Sequence, residues 1–309
     1  MPAASPASAA AATRGKLYSC DWVKVRIITK SRRWVVVLLV AAITAVDVGA
    51  MDSIKKTESD VERSVCGFLR EPVAFWSFQL TAGAPDARHM RTIPRIERLS
   101  FTTRDGRSLG GYKLRAVAPW GYLLVAQGNA MLADQIIGDL QFFRDFGLDV
   151  YIYDYRGYGL SEGKSRLKAL ISDYQEIIRA LNAQDYRRRF LYGISMGGII
   201  LLDAVGITDE YDAAVIDSSP SRISPLGCPE EYDPINHLPI DASGIKIVIG
   251  LRDRVVPVAE IEEMAREAQS RGAAVSKHPE FAHPFQDFSV ETRRRRFHEV
   301  ANFLTRWRP

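Results

Sequence analysis

From residue 96 onward the chain switches repeatedly between two hydrophobic periods. "IERLSFTT" and "LGGYKLRA" flank "RDGRS", a turn signal between two short apolar segments, and predict a hairpin. "YLLVAQG", Tyr122 to Gly128, predicts a short buried strand. In "MLADQIIGDLQFFRDFG" the residues Leu132, Ile136, Leu140 and Phe143 fall at helical spacing. "DVYIYDYRGYG" predicts a strand running into a glycine-rich turn. "LKALISDYQEIIRAL" carries one apolar helix face through Leu167, Leu170, Ile171, Tyr174, Ile177, Ile178 and Leu181. "RFLYGISMGGIILLDAV" opens as a strand and closes as a helix. "AAVIDSS" and "IKIVIGLR" predict buried strands, "VAEIEEMAREAQSRG" a helix closed by glycine, "AAVSKHPE" a last strand and "TRRRRFHEVANFLTRW" a final helix. Short apolar strands alternating with amphipathic helices make an α/β fold: a mostly parallel sheet with helices on both faces and an antiparallel edge from the hairpin. Ligands bind such sheets at the carboxyl ends of the strands.

One insert interrupts the alternation. Ser218 to Ser243 holds Pro220, Pro225, Pro229, Pro234 and Pro239 and no apolar stripe of helical period. Proline breaks helices, so this segment predicts a short cap rather than a long amphipathic lid.

The amino-terminal part reads differently. Residues 1–33 begin with the low-complexity "MPAASPASAAAAT" and continue into a basic segment with Lys24, Arg26, Lys30, Arg32 and Arg33. "WVVVLLVAAITAV", Trp34 to Val46, then runs 13 residues without a charge. That suits a signal h-region of about 7–15 residues better than a spanning helix of about 20. Residues 34–50 are therefore expected to be a signal or membrane-anchor segment outside the core, with the small residues Val48 to Ala50 available for cleavage. "SRRWVVV" also has the look of a loose twin-arginine signal, and a buried core helix is the competing reading. The basic flank places the rest of the chain on the non-cytoplasmic side, membrane-anchored or exported. Residues 51–95 are a helical or irregular lead-in, and residues 96–309 the α/β domain.

Composition narrows the partners. With 41 basic and 37 acidic residues the net charge is +4, too small a surplus to argue for nucleic acid. The clusters Arg187–Arg189 and Arg293–Arg296 read as solvated faces. Cys20, Cys66 and Cys228 have no metal-ligand spacing. Cys66 and Cys228 are expected as free thiols, with a disulfide between them only in an oxidising compartment.

The chemistry sits at the strand-to-helix corner "GISMGG". Gly193 and Gly197 remove side chains that would collide as the backbone folds back, and Ser195 stands at a helix amino terminus, where free N–H groups favour developing negative charge. A serine nucleophile needs a base, and the base an orienting carboxylate. Of the five histidines, His89, His237, His278, His283 and His298, His283 in "EFAHPFQD" follows the last strand at the right sheet edge, ahead of His278. Asp253 in "GLRDRVVP" follows the strand at Ile245–Gly250, with Asp217 its rival one strand earlier. Oxyanion donors are expected from the backbone N–H groups of Asn129, in "AQGNAM", and Met196.

"GISMGG", "QGNA", "DYRGYGLSEG", "GLRDRVVP" and "AHPFQD", in that order, resemble the α/β-hydrolase family, in its monoacylglycerol-lipase-like and serine-aminopeptidase-like branch. The resemblance spans residues 96–309. It implies an eight-stranded sheet and a Ser–Asp–His triad in that chain order, matching Ser195, Asp253 and His283. One departure is Gln127, where the family usually has histidine before the oxyanion glycine. "DYRGYG", Asp154 to Gly159, resembles a family turn packed beside the site and is given a structural role; it lacks the lysine and serine or threonine of a phosphate loop.

The expected protein is thus a serine hydrolase acting on a small-molecule acyl substrate through an acyl-enzyme, without cofactor or metal. The membrane is a partner through the amino-terminal segment if that remains uncleaved. Two other functions use the same fold: a non-catalytic binding scaffold, and acyl transfer to an acceptor other than water.

Overall fold

Strands form where both neighbours in the sheet and both covering layers are apolar. In the computed structural model, which describes residues 59–307 apart from Ala87, this gives one eight-stranded sheet. The strands are β1 (Ile96–Thr102), β2 (Ser108–Leu114), β3 (Gly121–Ala126), β4 (Leu148–Tyr153), β5 (Arg188–Ile194), β6 (Ala213–Asp217), β7 (Ile245–Gly250) and β8 (Ala274–His278). Their order is β1-β2-β4-β3-β5-β6-β7-β8, antiparallel from β1 to β4 and parallel from β4 onward. β3, β4, β6 and β7 are buried along their whole length, while the edge strands β1 and β8 are partly exposed. The expected mostly parallel sheet with an antiparallel hairpin edge is what the chain forms.

Alternate residues of each strand feed opposite layers. Tyr122, Leu124 and Ala126 of β3 join one core with α3 (Leu167–Asn182) and α4 (Met196–Val205). Leu123 and Val125 join a second core with α2 (Ala133–Leu140) and α6 (Val290–Thr305). A third core, beneath α5 (Val258–Ser270), is built on Ile245, Ile247 and Ile249 of β7. The helix expected across residues 131–147 is shorter: α2 stops at Leu140 and a 3₁₀ segment, Gln141–Phe146, replaces its end. Phe142, Phe143 and Phe146 turn there onto α6, where Phe142 meets Phe297 and His298.

The strand order reverses at β3, whose partners β4 and β5 lie on either side of it. In sheets of this kind ligands bind at such a switch point, here at the carboxyl ends of β3 and β5. Loops from β3, β4 and β6 emerge on the same edge, and residues 59–95 are bonded to all three. Within them, α1 (Arg70–Ala82) accepts a hydrogen bond from Gln135 at the Ala82 carbonyl (2.8 Å), and Gln79 donates to Ser165 (2.6 Å). The buried Glu71 carboxylate accepts from the N–H groups of Val65, Cys66 and Leu167 at 2.6–2.8 Å. Buried Glu62 pairs with Arg107 and Arg156. The insert after β6 contains only 3₁₀ turns, Ser224–Leu226, Glu230–Tyr232 and Pro234–His237.

Two expectations are corrected here. Cys66 and Cys228 are not free thiols: they form a disulfide (S–S 2.08 Å) that joins the lead-in to the insert across 162 residues of sequence. The two chain segments meet on the carboxyl edge, a proximity that spacing cannot reveal. Arg296, assigned to a solvated face, is fully buried. It lies on the inner side of α6 with two carboxylates around it.

Residues 1–58 lie outside the described residues, and with them the apolar run 34–50. Among the described residues no helix is long and apolar enough to cross a membrane, and no group of three or more His, Cys, Asp or Glu is placed to hold a metal ion.

The fold makes two stability predictions. Cross-linking so long a segment restricts the unfolded chain, so reduction, or Cys66→Ser, should lower stability by about 2–4 kcal/mol in urea unfolding; identical midpoints with and without reductant would mean the thiols are unpaired in solution. The second concerns Asp203 of α4, beside His237 at 3.3 Å. Burial, then the charge of Asp233, pushes its carboxyl from 3.8 up to about 8. The folded chain therefore keeps a proton that the unfolded chain has lost, and stability falls as pH rises from about 4 to about 8. Asp203→Asn removes that loss, so its gain in Tm over wild type should be larger at pH 8 than at pH 5; an equal gain at both would rule the carboxyl out.

Candidate active site

β5 ends against the fourth helix, and the corner between them leaves very little room. A Cβ on Gly197 would lie 1.9 Å from the Ala126 carbonyl oxygen, and one on Gly193 2.6 Å from the Gly198 Cα. Only glycine permits this approach. Ser195, between them, adopts φ 53° and ψ −117°, a left-handed conformation unusual for a residue with a side chain. The strain is held by neighbours: Ser195 N–H donates to the Asp217 carbonyl (2.9 Å), and the Ser219 hydroxyl donates to the Ser195 carbonyl. Strain held in this way at the end of a strand is a reason to look for function there.

The loop after β3 lies beside the serine. A methyl group on Gly128 would be 3.8 Å from the Ser195 Cβ. Asn129 follows, its side-chain oxygen accepting from Tyr158 Oη (2.9 Å) and from the Ala130 N–H (2.9 Å). Met196 is the first residue of α4, so its N–H has no carbonyl one turn earlier to bond. The Gln127 side-chain amide donates to the Met131 carbonyl (3.1 Å), bracing this loop, and the Gln127 backbone carbonyl accepts from the Tyr155 hydroxyl.

"DYRGYG" anchors the same loop from the other side. Asp154 accepts from the N–H groups of Ala133 (2.7 Å) and Leu160 (2.9 Å). Burial pushes its carboxyl up to about 6, against these bonds and one from Gln127 that favour the charge. Arg156 is buried and paired with Asp173, Asp105 and Glu62. Tyr158, also buried, is the residue that holds Asn129. Apart from the motif itself, no pattern in the residues points to that contact.

Asp253 and His283 come together from two loops. His283 Nδ1 is 2.8 Å from Asp253 Oδ2, and Asp253 Oδ1 accepts from the N–H groups of Val255 (2.8 Å) and Val256 (2.9 Å). A carboxylate only accepts, so in the neutral ring Nδ1 carries the hydrogen and Nε2 keeps its lone pair. Burial opposes the charge of Asp253, yet the hydrogen bond and charge of His283 and the two backbone bonds hold its carboxyl below the usual range. All three side chains, Ser195, Asp253 and His283, are nearly buried. The rival candidates stand elsewhere. His278 stacks on Phe281 and faces Glu299 at 3.6 Å, and His298 packs on Phe142.

Asp217 serves a different group. It accepts from Arg296 (2.7 Å) and from Tyr192 Oη (2.9 Å). Arg296 also makes a two-pronged pair with Asp287, both bonds 2.9 Å, and donates to the Ala282 carbonyl (2.6 Å). Asp287 in turn accepts from the Ala282 N–H (3.0 Å). Both backbone groups of the residue before His283 are thus tied to one buried ion cluster. A run of four arginines gives no hint that the last of them performs this task.

The comparisons agree with this architecture. Residues 119–229 match the family model of serine aminopeptidase, S33. The uncharacterized membrane protein YNL320W of Saccharomyces cerevisiae is 26% identical over 218 residues, 64% of this chain and 76% of its own length. Polyketide transferase grgF of a Penicillium species is 31% identical over 160 residues, 48% of this chain and 52% of the relative. Among solved structures, the Pyrococcus furiosus esterase Pf2001 superposes with a TM-score of 0.58 at 17% identity, covering 72% of this chain and 97% of that one. Esterase 2 of Thermogutta terrifontis gives 0.56 at 18%, covering 69% and 95%. With the matched segment running from β3 through the serine corner into the insert, and the eight strands in this order, the chain has the α/β-hydrolase fold.

Proposed function

We propose that the protein is a serine hydrolase that cleaves carboxylic ester-like bonds through an acyl-enzyme. The observation that carries the reading is the strained Ser195 on the same sheet edge as a histidine whose Nδ1 is held by Asp253. In this reaction Ser195 Oγ attacks the carbonyl carbon while His283 Nε2 takes the hydroxyl proton. The carbonyl oxygen becomes an oxyanion facing the N–H groups of Asn129 and Met196. Collapse of the tetrahedral intermediate breaks the bond to the leaving group, which receives the proton from His283, and leaves the acyl group on Ser195. Water, deprotonated by the same imidazole, then releases the acid. Asp253 keeps the ring in the required tautomer and stabilises its charged form.

Transfer of the acyl group to an alcohol or amine is the second reading, favoured by the similarity to a polyketide transferase. It shares every step up to the acyl-enzyme. Product analysis with added alcohols, comparing transfer with hydrolysis, separates the two.

A fluorophosphonate should label the wild type and not Ser195→Ala, whose turnover should fall by about 10⁶. His283→Ala should fall comparably, and Asp253→Asn should stay folded and lose about 10⁴. Equal labelling of the serine variant would transfer the case to a non-catalytic scaffold, and a crippled Asp217→Asn with a normal Asp253→Asn would move the acid one strand earlier.

Substrate length follows from the cap. Each buried methylene contributes about 0.8 kcal/mol, and an insert of 3₁₀ turns offers little surface to extend that gain. In a p-nitrophenyl ester series, kcat/KM should peak at acyl chains of roughly two to eight carbons, where that gain levels off; a maximum at long chains would refute it.

A further inference from the structure

α1 is apolar on both sides. Its inner side buries Phe75 and Ala82, with the Glu71 carboxylate spent on three backbone N–H groups. Its outer side shows Leu69 (71% exposed), Val73 (59%), Trp76 (60%) and Leu80 (63%), with Phe68 (85%) leading into it. The spacing of four, three and four residues places these side chains in one row along the helix. A helix that is hydrophobic all round normally has cover on all sides, and here one side has none among the described residues. Leu226 of the insert, 65% exposed, extends the row, because Arg70 Nη1 donates to its carbonyl at 2.6 Å.

We propose that this outward face of α1 rests on the surface of a phospholipid bilayer. Three observations favour lipid over a second copy of the chain. The row holds a tryptophan among aliphatic residues, the composition that settles at the boundary between headgroups and acyl chains. From Gly67 to Thr81 the exposed residues include one cation, Arg70, and no acid, since Glu71 is buried. Anionic headgroups would therefore meet one cation and no like charge there. The third is upstream in the sequence. The uncharged run Trp34 to Val46, behind Lys24, Arg26, Lys30, Arg32 and Arg33, is a second apolar element on the amino-terminal side of Phe68. Stable membrane attachment takes two such signals more readily than one. Because α1 is bonded to the loops of the carboxyl edge, the contact turns the Ser195 side of the sheet towards the headgroups.

The test uses the full chain, reconstituted in phosphatidylcholine and phosphatidylglycerol vesicles with or without bromine on the acyl chains. Tryptophan emission is compared between wild type and Trp76→Phe, so that the difference isolates Trp76 from the other four tryptophans. Brominated lipid should quench that difference spectrum about twofold, as expected for a ring seated roughly 5–10 Å into the boundary region. Ser195→Ala should give the same quenching, which keeps the result independent of the chemistry. A Trp76 component that brominated lipid leaves unchanged would overturn the proposal. So would a dimer, seen by sedimentation in detergent, that Trp76→Glu with Leu80→Glu dissociates while brominated lipid leaves Trp76 unquenched, since the second copy would then be the cover.

Discussion

How closely α4 can approach β3 governs the carboxyl edge of the sheet. Gly197 lies against the Ala126 carbonyl and Gly198 against Ser219, where any Cβ would overlap atoms that cannot move. That approach forces the backbone through a left-handed residue, and the residue so placed is Ser195. It also brings the loop at Gly128 within van der Waals range of the serine. Ser195 and the loop beside it are therefore set by one packing constraint. A methyl group at Gly197 would disturb both before it disturbed the core.

The other half of the site is positioned by charge rather than by contact. Arg296 brings a guanidinium into the interior, which is costly unless its donors are paired. Asp217, Asp287 and the Ala282 carbonyl supply that pairing. Fixed donor directions make the cluster a rigid reference for the segment bearing His283. Arg156 does similar work beneath "DYRGYG", and Tyr158 transmits that position to Asn129. Two buried arginines thus brace loops on opposite flanks of Ser195.

Much of this was legible in the residues. Alternation of periods located the eight strands to within a residue or two: the central ones as short, wholly apolar runs, the edge strands β1 and β8 from the hairpin turn and from their place between helices. The serine corner was legible because its glycines have no role in an ordinary helix start. Proline density revealed the short insert. What escaped notice depended on meetings between distant segments. The Cys66–Cys228 pair was open only as the alternative to free thiols, because nothing in the spacing brings the two together. Arg296 looks like its three neighbours, since periodicity treats every arginine as a surface residue and cannot count the carboxylates waiting inside. The outer row of α1 was hidden for the opposite reason: apolar residues around the whole helix blur any face.

The disulfide divides the molecule in a way that the fold does not. It closes a covalent ring from Cys66 to Cys228 that encloses β1 to β6, Ser195 and Asn129, and leaves Asp253, His283 and Arg296 outside it. The serine corner and the loop at Asn129 share one topologically closed half; the Asp253–His283 pair belongs to an open tail. Beyond its own chain connection, the tail from β7 onward is held to the ring by non-covalent contacts alone, among them the bond of Arg296 to Asp217 and the packing of Phe297 on Phe143.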